Sequence, residues 1–232
     1  MIWYDAQISA RNRSAPIRDV MRFHLTYRGP LSASASSPKG AEISAIRSEL
    51  SPQLEALWQT HPALEILDQQ GWVSPIDNTA ASISVSGRFL SPKEMGQFMR
   101  GSMEYLADFI VVDDSRYKPL VRKSLHLNCE LSILFLRQQD PGELVSQGGD
   151  IDNRIKTLLD ALRMPSVDEH RRNPPTECDL FCLMESDTLV SALSVKTDRL
   201  LTPLTQKDNE VQLVIEVSLN VLRVNNTNVC LL

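Results

Sequence analysis

The segment GGDIDNRIKTLLDAL, residues 148–162, gathers Asp150, Asp152, Lys156 and Asp160. Carboxylates at such spacing suit a hard divalent cation. Mg²⁺ takes oxygen ligands, keeps several waters and sits against substrate phosphate. Like charges held together cost free energy unless a cation occupies the space between them. In an extended conformation Asp150 and Asp152 project to the same side, and Gly148–Gly149 just upstream permits close backbone approach. A further acid, Asp187, leads the apolar run ESDTLVSALSV, 35 residues after Asp152. Lys156, one turn after Asp152, would then stand where an ammonium reaches a scissile phosphate or its leaving oxygen. The chemistry these residue types support is metal-assisted phosphodiester hydrolysis, with Mg²⁺ (or Mn²⁺) activating water.

The element that must position them is a helix. Ile151, Ile155, Leu158, Leu159 and Leu162 fall on one stripe at about 100° per residue, as a core-packed helix requires. Asp152, Lys156, Asp160 and Arg163 run along its edge at i, i+4, i+8 and i+11. A simpler account of that edge is a row of i,i+4 ion pairs, each contributing about 0.2–0.5 kcal/mol, with the N-terminal aspartates as cap and dipole partners. Asp187 belongs at the mouth of a strand around Leu189–Val195.

Around this helix the pattern reads as strands with a few helices. MRFHLTYRGPL (21–31) alternates Phe23, Leu25 and Tyr27 with polar residues and reads as a half-buried strand ending at Gly29–Pro30. The serine-rich LSASASSPKG (31–40) is a loop. A helix follows from about Ala41, with Ile43, Ile46 and Leu50 in phase; Pro52 is expected to interrupt it near Ser51, before Leu54, Leu57 and Trp58 resume the pattern. Residues 71–92 are turn-rich. The segment from Pro92 starts helically, with Phe98, Met99 and Met103 apolar, and Phe109–Val112 is β-like. Leu125, Leu127, Cys129, Leu131, Ile133 and Phe135 line one face of the clearest strand, and Val211, Leu213, Ile215, Val217 and Leu219 that of another. RMPSVDEHRRNPPTE reads as a proline-rich loop. Without regular βαβ alternation, these elements imply an α+β fold: a mixed β-sheet with packed helices.

The 232 residues suffice for one large domain, and no apolar run is long enough for a membrane span. No secretory-type apolar segment opens the chain, so a cytoplasmic location is the default. A net charge of −5 counts against coating of nucleic acid by the whole surface but allows a local basic groove. Cys178 and Cys182, a C-x3-C pair in an apolar setting, read as buried free thiols rather than zinc ligands. His24 and His126 fall in expected strands and read as structural.

DIDNRIKTLLDAL resembles the D-x-D-N-x-x-K-x-x-x-D-A-L signature of RusA-type Holliday junction resolvases, and ESDTLVSALSV resembles that family's acidic pair followed by a strand. The resemblance covers about 150–196. It implies a RusA-like fold in which Asp150, Asp152 and Asp187 are catalytic and hold Mg²⁺, and Lys156 is the catalytic lysine. Asn153 and Asp160 would support the site. It also implies a homodimer, since resolving a four-way junction needs two cuts. Two departures stand out. Ser186 occupies the place of the first acid of the pair, with Glu185 one residue earlier, and the chain is longer, with an extension at 1–20 and an insertion across roughly 60–115. The expected organisation is therefore an N-terminal extension and one nuclease domain over 21–232. Two basic clusters would form the phosphate-contacting groove: Arg116, Lys118, Arg122 and Lys123 in SRYKPLVRKSLH, and Arg154, Arg163, Arg171 and Arg172 near the site. Lys39 is a further candidate contact. The expected function is a Mg²⁺-dependent endonuclease on branched DNA. The alternatives are a non-catalytic nucleic-acid-binding or regulatory module on the same fold, or a nuclease for flaps, forks or invading DNA.

Overall fold

The computed structural model describes residues 21–32, 39–70, 72–73, 84–85, 88–89, 104–138, 150–201, 210–224 and 228–232. The extension 1–20, Gly148–Gly149, and the proposed helical start with Phe98, Met99 and Met103 lie outside the described residues, as does most of the 71–92 stretch.

The fold is α+β. Its main sheet joins β1 (Arg22–Pro30), β8 (Leu127–Arg137), β10 (Val190–Arg199) and β11 (Glu210–Val221) in the order β1-β11-β8-β10. The first two pairings are antiparallel, and β10 runs parallel to β8 at the edge. The expected alternation holds. Leu25 and Tyr27, the odd-numbered apolar residues of β8 from Leu127 to Phe135, and Val211 through Leu219 are all buried on one face. A one-residue slip would turn every one of them outward, so this face sets the register. A second sheet holds β6 (Ile110–Val112), β7 (Ser115–Val121) and β9 (Asp179–Met184) in the order β6-β7-β9. Two short antiparallel pairings make up the remaining described strands, β2 (Trp72–Val73) with β5 (Glu104–Tyr105) and β3 (Ser84–Val85) with β4 (Arg88–Phe89).

Three helices contribute to the core that covers the buried face. Helix α1 (Lys39–Thr60) runs unbroken through Pro52, against expectation. Proline lacks an N–H for the carbonyl one turn earlier, but Ile46, Leu50, Leu54 and Trp58 are buried on both sides of it, and the Ser51 hydroxyl accepts a 2.8 Å hydrogen bond from the Phe181 N–H of β9. Tertiary packing thus carries the helix past the break. Helix α2 (Pro62–Gln70) buries Leu64 and Leu67 in the same core, so this part of the 60–115 insertion is integral to it. Helix α3 (Asp150–Leu162) packs Ile155, Leu158, Ala161 and Leu162 there as well.

The proline-rich loop contains a short helix that the sequence reading passed over, α4 (Val167–Arg172). Its signal was present. Ser166 and Glu169 form a capping box, in which each side chain satisfies the other's backbone N–H. His170 of α4 is buried between Tyr117, whose hydroxyl lies 2.9 Å from Nδ1, and Asp114, whose Oδ1 lies 2.7 Å from Nε2. Asp113, next to Asp114 in the β6–β7 turn, pairs with Arg171. The turn thereby clamps α4 against the second sheet. His24 is exposed in β1, whereas His126 lies in the turn before β8 with φ 53°, rather than in a strand. Cys129 and Cys182 are buried, but Cys178 is exposed, which corrects the reading of the C-x3-C pair as two buried thiols.

Candidate active site

The apolar stripe of α3 fixes which way its polar edge faces. With Ile155, Leu158 and Leu162 buried, Asp152 and Lys156 are exposed and Asp160 is half-buried. Opposite them, β9 ends at Met184 and the chain makes a 3₁₀ turn at Asp187–Leu189 before entering β10. Ser186 opens that turn, its hydroxyl accepting from the Thr188 N–H, and Leu189 anchors it in the core. Asp187 is therefore held at the strand mouth.

These elements enclose a cleft of about 320 Å³ lined by Ile151, Asp152, Ile155, Lys156, Leu159, Asp160, Asp187, Leu193 and Val195. Of the residues expected to act together, Asp152, Lys156, Asp160 and Asp187 meet in it. Leu193 and Val195 were not anticipated as site residues. They come from the face of edge strand β10 that turns toward α3, and their alternation in VSALSVK was the available signal.

The ion-pair account of the α3 edge holds only at its C-terminal end. Asp160 pairs with Arg163 at 2.8 Å, and Arg163 also grips both carboxylate oxygens of Glu169. Arg163 and the Ser166 N–H hold the Glu169 carboxyl down at about 2. Asp152 and Lys156, by contrast, have no ion-pair partner among the described residues. Among the described residues the cleft thus presents two carboxylates and an ammonium with no ion-pair partner, beside Asp160, whose charge Arg163 shares.

Asp150 is the first residue of α3, and its side chain lies outside the described residues. Its backbone is already helical, which places positions 150 and 152 about 200° apart around the axis rather than on one side. The same-side argument, which belongs to extended chain, does not apply. Among the described residues no group of three His, Cys, Asp or Glu side chains is arranged to hold a metal ion; Asp152 and Asp187 are the described members of the expected set. A divalent cation bound there would draw on these two carboxylates, with water or substrate oxygens filling the remaining positions. Asn153 sits beside Asp152 with its backbone carbonyl accepting from Thr157 Oγ1. Glu185 is not in the cleft. Its carboxylate accepts from the Lys123 N–H in the β7–β8 turn, so it does not stand in for an acid at Ser186.

The basic clusters need the larger correction. SRYKPLVRKSLH is mostly strand β7, whose residues from Tyr117 to Val121 are buried, as is Arg122 just beyond it. Lys118 points inward, 2.7 Å from Asp68 and 4.3 Å from the centroid of the Trp58 ring. Arg122 is 4 % exposed and donates to the carbonyls of Pro119 and Leu106. Arg154 is 6 % exposed and donates to the Leu31 carbonyl, tying α3 to the end of β1. None of these three is available to phosphate. Arg122 and Arg154 are structural cations that satisfy backbone carbonyls the core would otherwise strand, and Lys118 is held by the Asp68 carboxylate and the Trp58 ring. Arg116 and Arg171 are exposed but paired, with Asp179 and Asp113. Lys123 and Arg172 are exposed without a carboxylate partner among the described residues. Arg47, which the sequence reading did not single out, is buried and donates to the Asp160 and Arg163 carbonyls, at 2.7 and 3.2 Å.

No helix among the described residues is long and apolar enough to cross a membrane. No protein-family model, curated protein or solved structure matches the chain.

Proposed function

We propose that the protein is a RusA-like, Mg²⁺-dependent endonuclease that hydrolyses phosphodiester bonds in branched DNA. The observation that carries this reading is the convergence of Asp152, Lys156, Asp160 and Asp187, from a helix and a strand mouth far apart in sequence, on one cleft. Two acids with no ion-pair partner among the described residues, beside an exposed lysine, match the needs of metal-assisted phosphoryl chemistry. In this reading Asp152 and Asp187 hold the metal, and Asp150, which the resemblance also assigns to it, would have to reach it from the other side of the first turn of α3. Lys156 neutralises charge on the phosphate as the attacking water adds and the leaving oxygen departs. Asp160, fixed by Arg163, keeps the cleft end of α3 in place and sets its potential.

The test is cleavage of four-way junction, flap, duplex and single-stranded DNA with and without Mg²⁺ or Mn²⁺. The expected outcome is metal-dependent cutting of branched substrates, abolished by Asp152→Asn and by Asp187→Asn while DNA binding persists. Full cleavage by either variant would overturn the assignment. The inward turn of Lys118, Arg122 and Arg154 favours one variation, a nuclease whose DNA track differs from the groove expected of a junction resolvase. A preference for flap or duplex in the same assay would identify it. As a resolvase the protein acts as a homodimer, one cut per subunit, which sedimentation on a junction would register as two chains per DNA.

A further inference from the structure

A second cavity, of about 430 Å³, lies at the start of α1 and the end of α4 and shares no lining residue with the cleft. Lys39, Gly40, Ile43, Arg47, Glu169, Arg172 and Asn173 line it. Three of these are cations and one is an acid. The acid is already neutralised: Glu169 has both oxygens on Arg163, which is not among the lining residues, and accepts from the Ser166 N–H. Arg47 is fixed in place by the two carbonyls at the end of α3, and burial pushes its guanidinium pKa downward. Lys39 has no carboxylate partner among the described residues. Arg172 donates from its Nε to the Asp168 carbonyl, and its terminal nitrogens have no acid partner among the described residues. Gly40 admits the Asn173 amide so closely that a Cβ would lie 2.0 Å from its nitrogen, which brings a neutral donor to the same wall.

Cations gathered in a concave site without counter-charge repel one another, and an anion relieves that cost. A tetrahedral dianion matches what is on offer: a lysine ammonium, a guanidinium with free forks and an amide N–H. We propose that this cavity is a phosphate-binding site, independent of the cleft. The phosphate belongs either to a free phosphate or nucleotide or to a nucleic-acid strand, and recognition is the same in each case.

Thermal unfolding of the full chain tests it, with potassium phosphate, a mononucleotide, and an oligonucleotide with and without a 5′-phosphate, each against potassium chloride at equal ionic strength. At a hundredfold excess over Kd the midpoint should rise by about 5–10 °C. The double variant Lys39→Gln/Arg172→Gln should lose that rise, with affinity weakened roughly tenfold or more per cation. Lys156→Ala, in the cleft, should keep it, which separates this site from the nuclease reading. The arm giving the largest shift identifies the source of the phosphate, and an oligonucleotide shift that needs no 5′-phosphate identifies the strand backbone. No rise beyond chloride with potassium phosphate, or a phosphate rise that survives in the double variant, would overturn the proposal, and an oligonucleotide rise counts for this cavity only in the part that the double variant loses.

Discussion

Replacing Arg47 with methionine tests whether a single buried cation holds the candidate site's helix in place. The substitution keeps most of the side-chain length and apolar stem and removes the guanidinium. Two hydrogen bonds disappear, from Nη2 to the Asp160 carbonyl at 2.7 Å and from Nε to the Arg163 carbonyl at 3.2 Å. Charge-assisted bonds of this kind contribute about 1.5–3 kcal/mol each, giving roughly 3–6 kcal/mol before compensation. Both bonds lie in a partly buried region, so water can rebind one carbonyl, and the buried guanidinium's own desolvation cost is also removed. A net loss of about 2–3 kcal/mol remains. Since α3 ends where Arg47 sits, part of that loss is a favourable cation at a helix C-terminus. For a chain of this size it corresponds to a midpoint lower by roughly 4–12 °C. Urea unfolding should show the midpoint concentration falling with an unchanged slope, because the exposed surface is the same. Arg47→Lys should recover part of the loss, having charge but no fork. An Arg47→Met variant within about 0.5 kcal/mol of the parent, the range of an ordinary surface change, would refute the reasoning.

Other outcomes follow from the same geometry. Arg163 holds the Glu169 carboxyl at about 2, below its ordinary value, so the pair's stabilisation is present above about 4.5 and lost as pH falls from there toward about 2. Glu169→Gln should flatten that acid limb of a stability–pH profile, and an unaltered limb would remove Glu169 as its source. Burial pushes the Cys129 and Cys182 thiols up to about 12, whereas Cys178 is exposed. An alkylating reagent at pH 8 should therefore modify Cys178 in the folded protein and reach Cys129 and Cys182 only on unfolding, as read by peptide mass. Arg154→Met should lower stability by about 1–3 kcal/mol through the stranded Leu31 carbonyl, while Lys123→Ala leaves stability near that of the parent and weakens DNA binding in a salt-dependent assay.

Much of the architecture was readable from local pattern. Strands β1, β8 and β11 keep strict period-two alternation because one face is buried and the other is more exposed, so sequence and register carry the same information. Helix α3 was legible for the same reason at period 3.6. The break expected at Pro52 did not occur, because a proline's missing bond is a local cost and the burial of α1 on both sides of it is a larger, non-local gain. The capping box at Ser166–Glu169 was a local signal overlooked among the prolines.

The sequence by itself determined the chemical types at the cleft and the stripe that orients them. Asp152, Lys156 and Asp160 share an edge because a helix repeats every 3.6 residues, whatever surrounds it. Only the tertiary structure decided which charges are available. Asp187 reaches the same cleft because β10 pairs in parallel with β8 and enters the sheet beside α3. Lys118, Arg122 and Arg154 resemble surface cations in a one-dimensional count, yet all three are buried, and Arg122 and Arg154 lie beside carbonyls that folding removes from water. Whether a cation meets solvent or fills a buried acceptor is set by chain segments up to 123 residues away, as for Arg154 and Leu31. No local pattern encodes that distance.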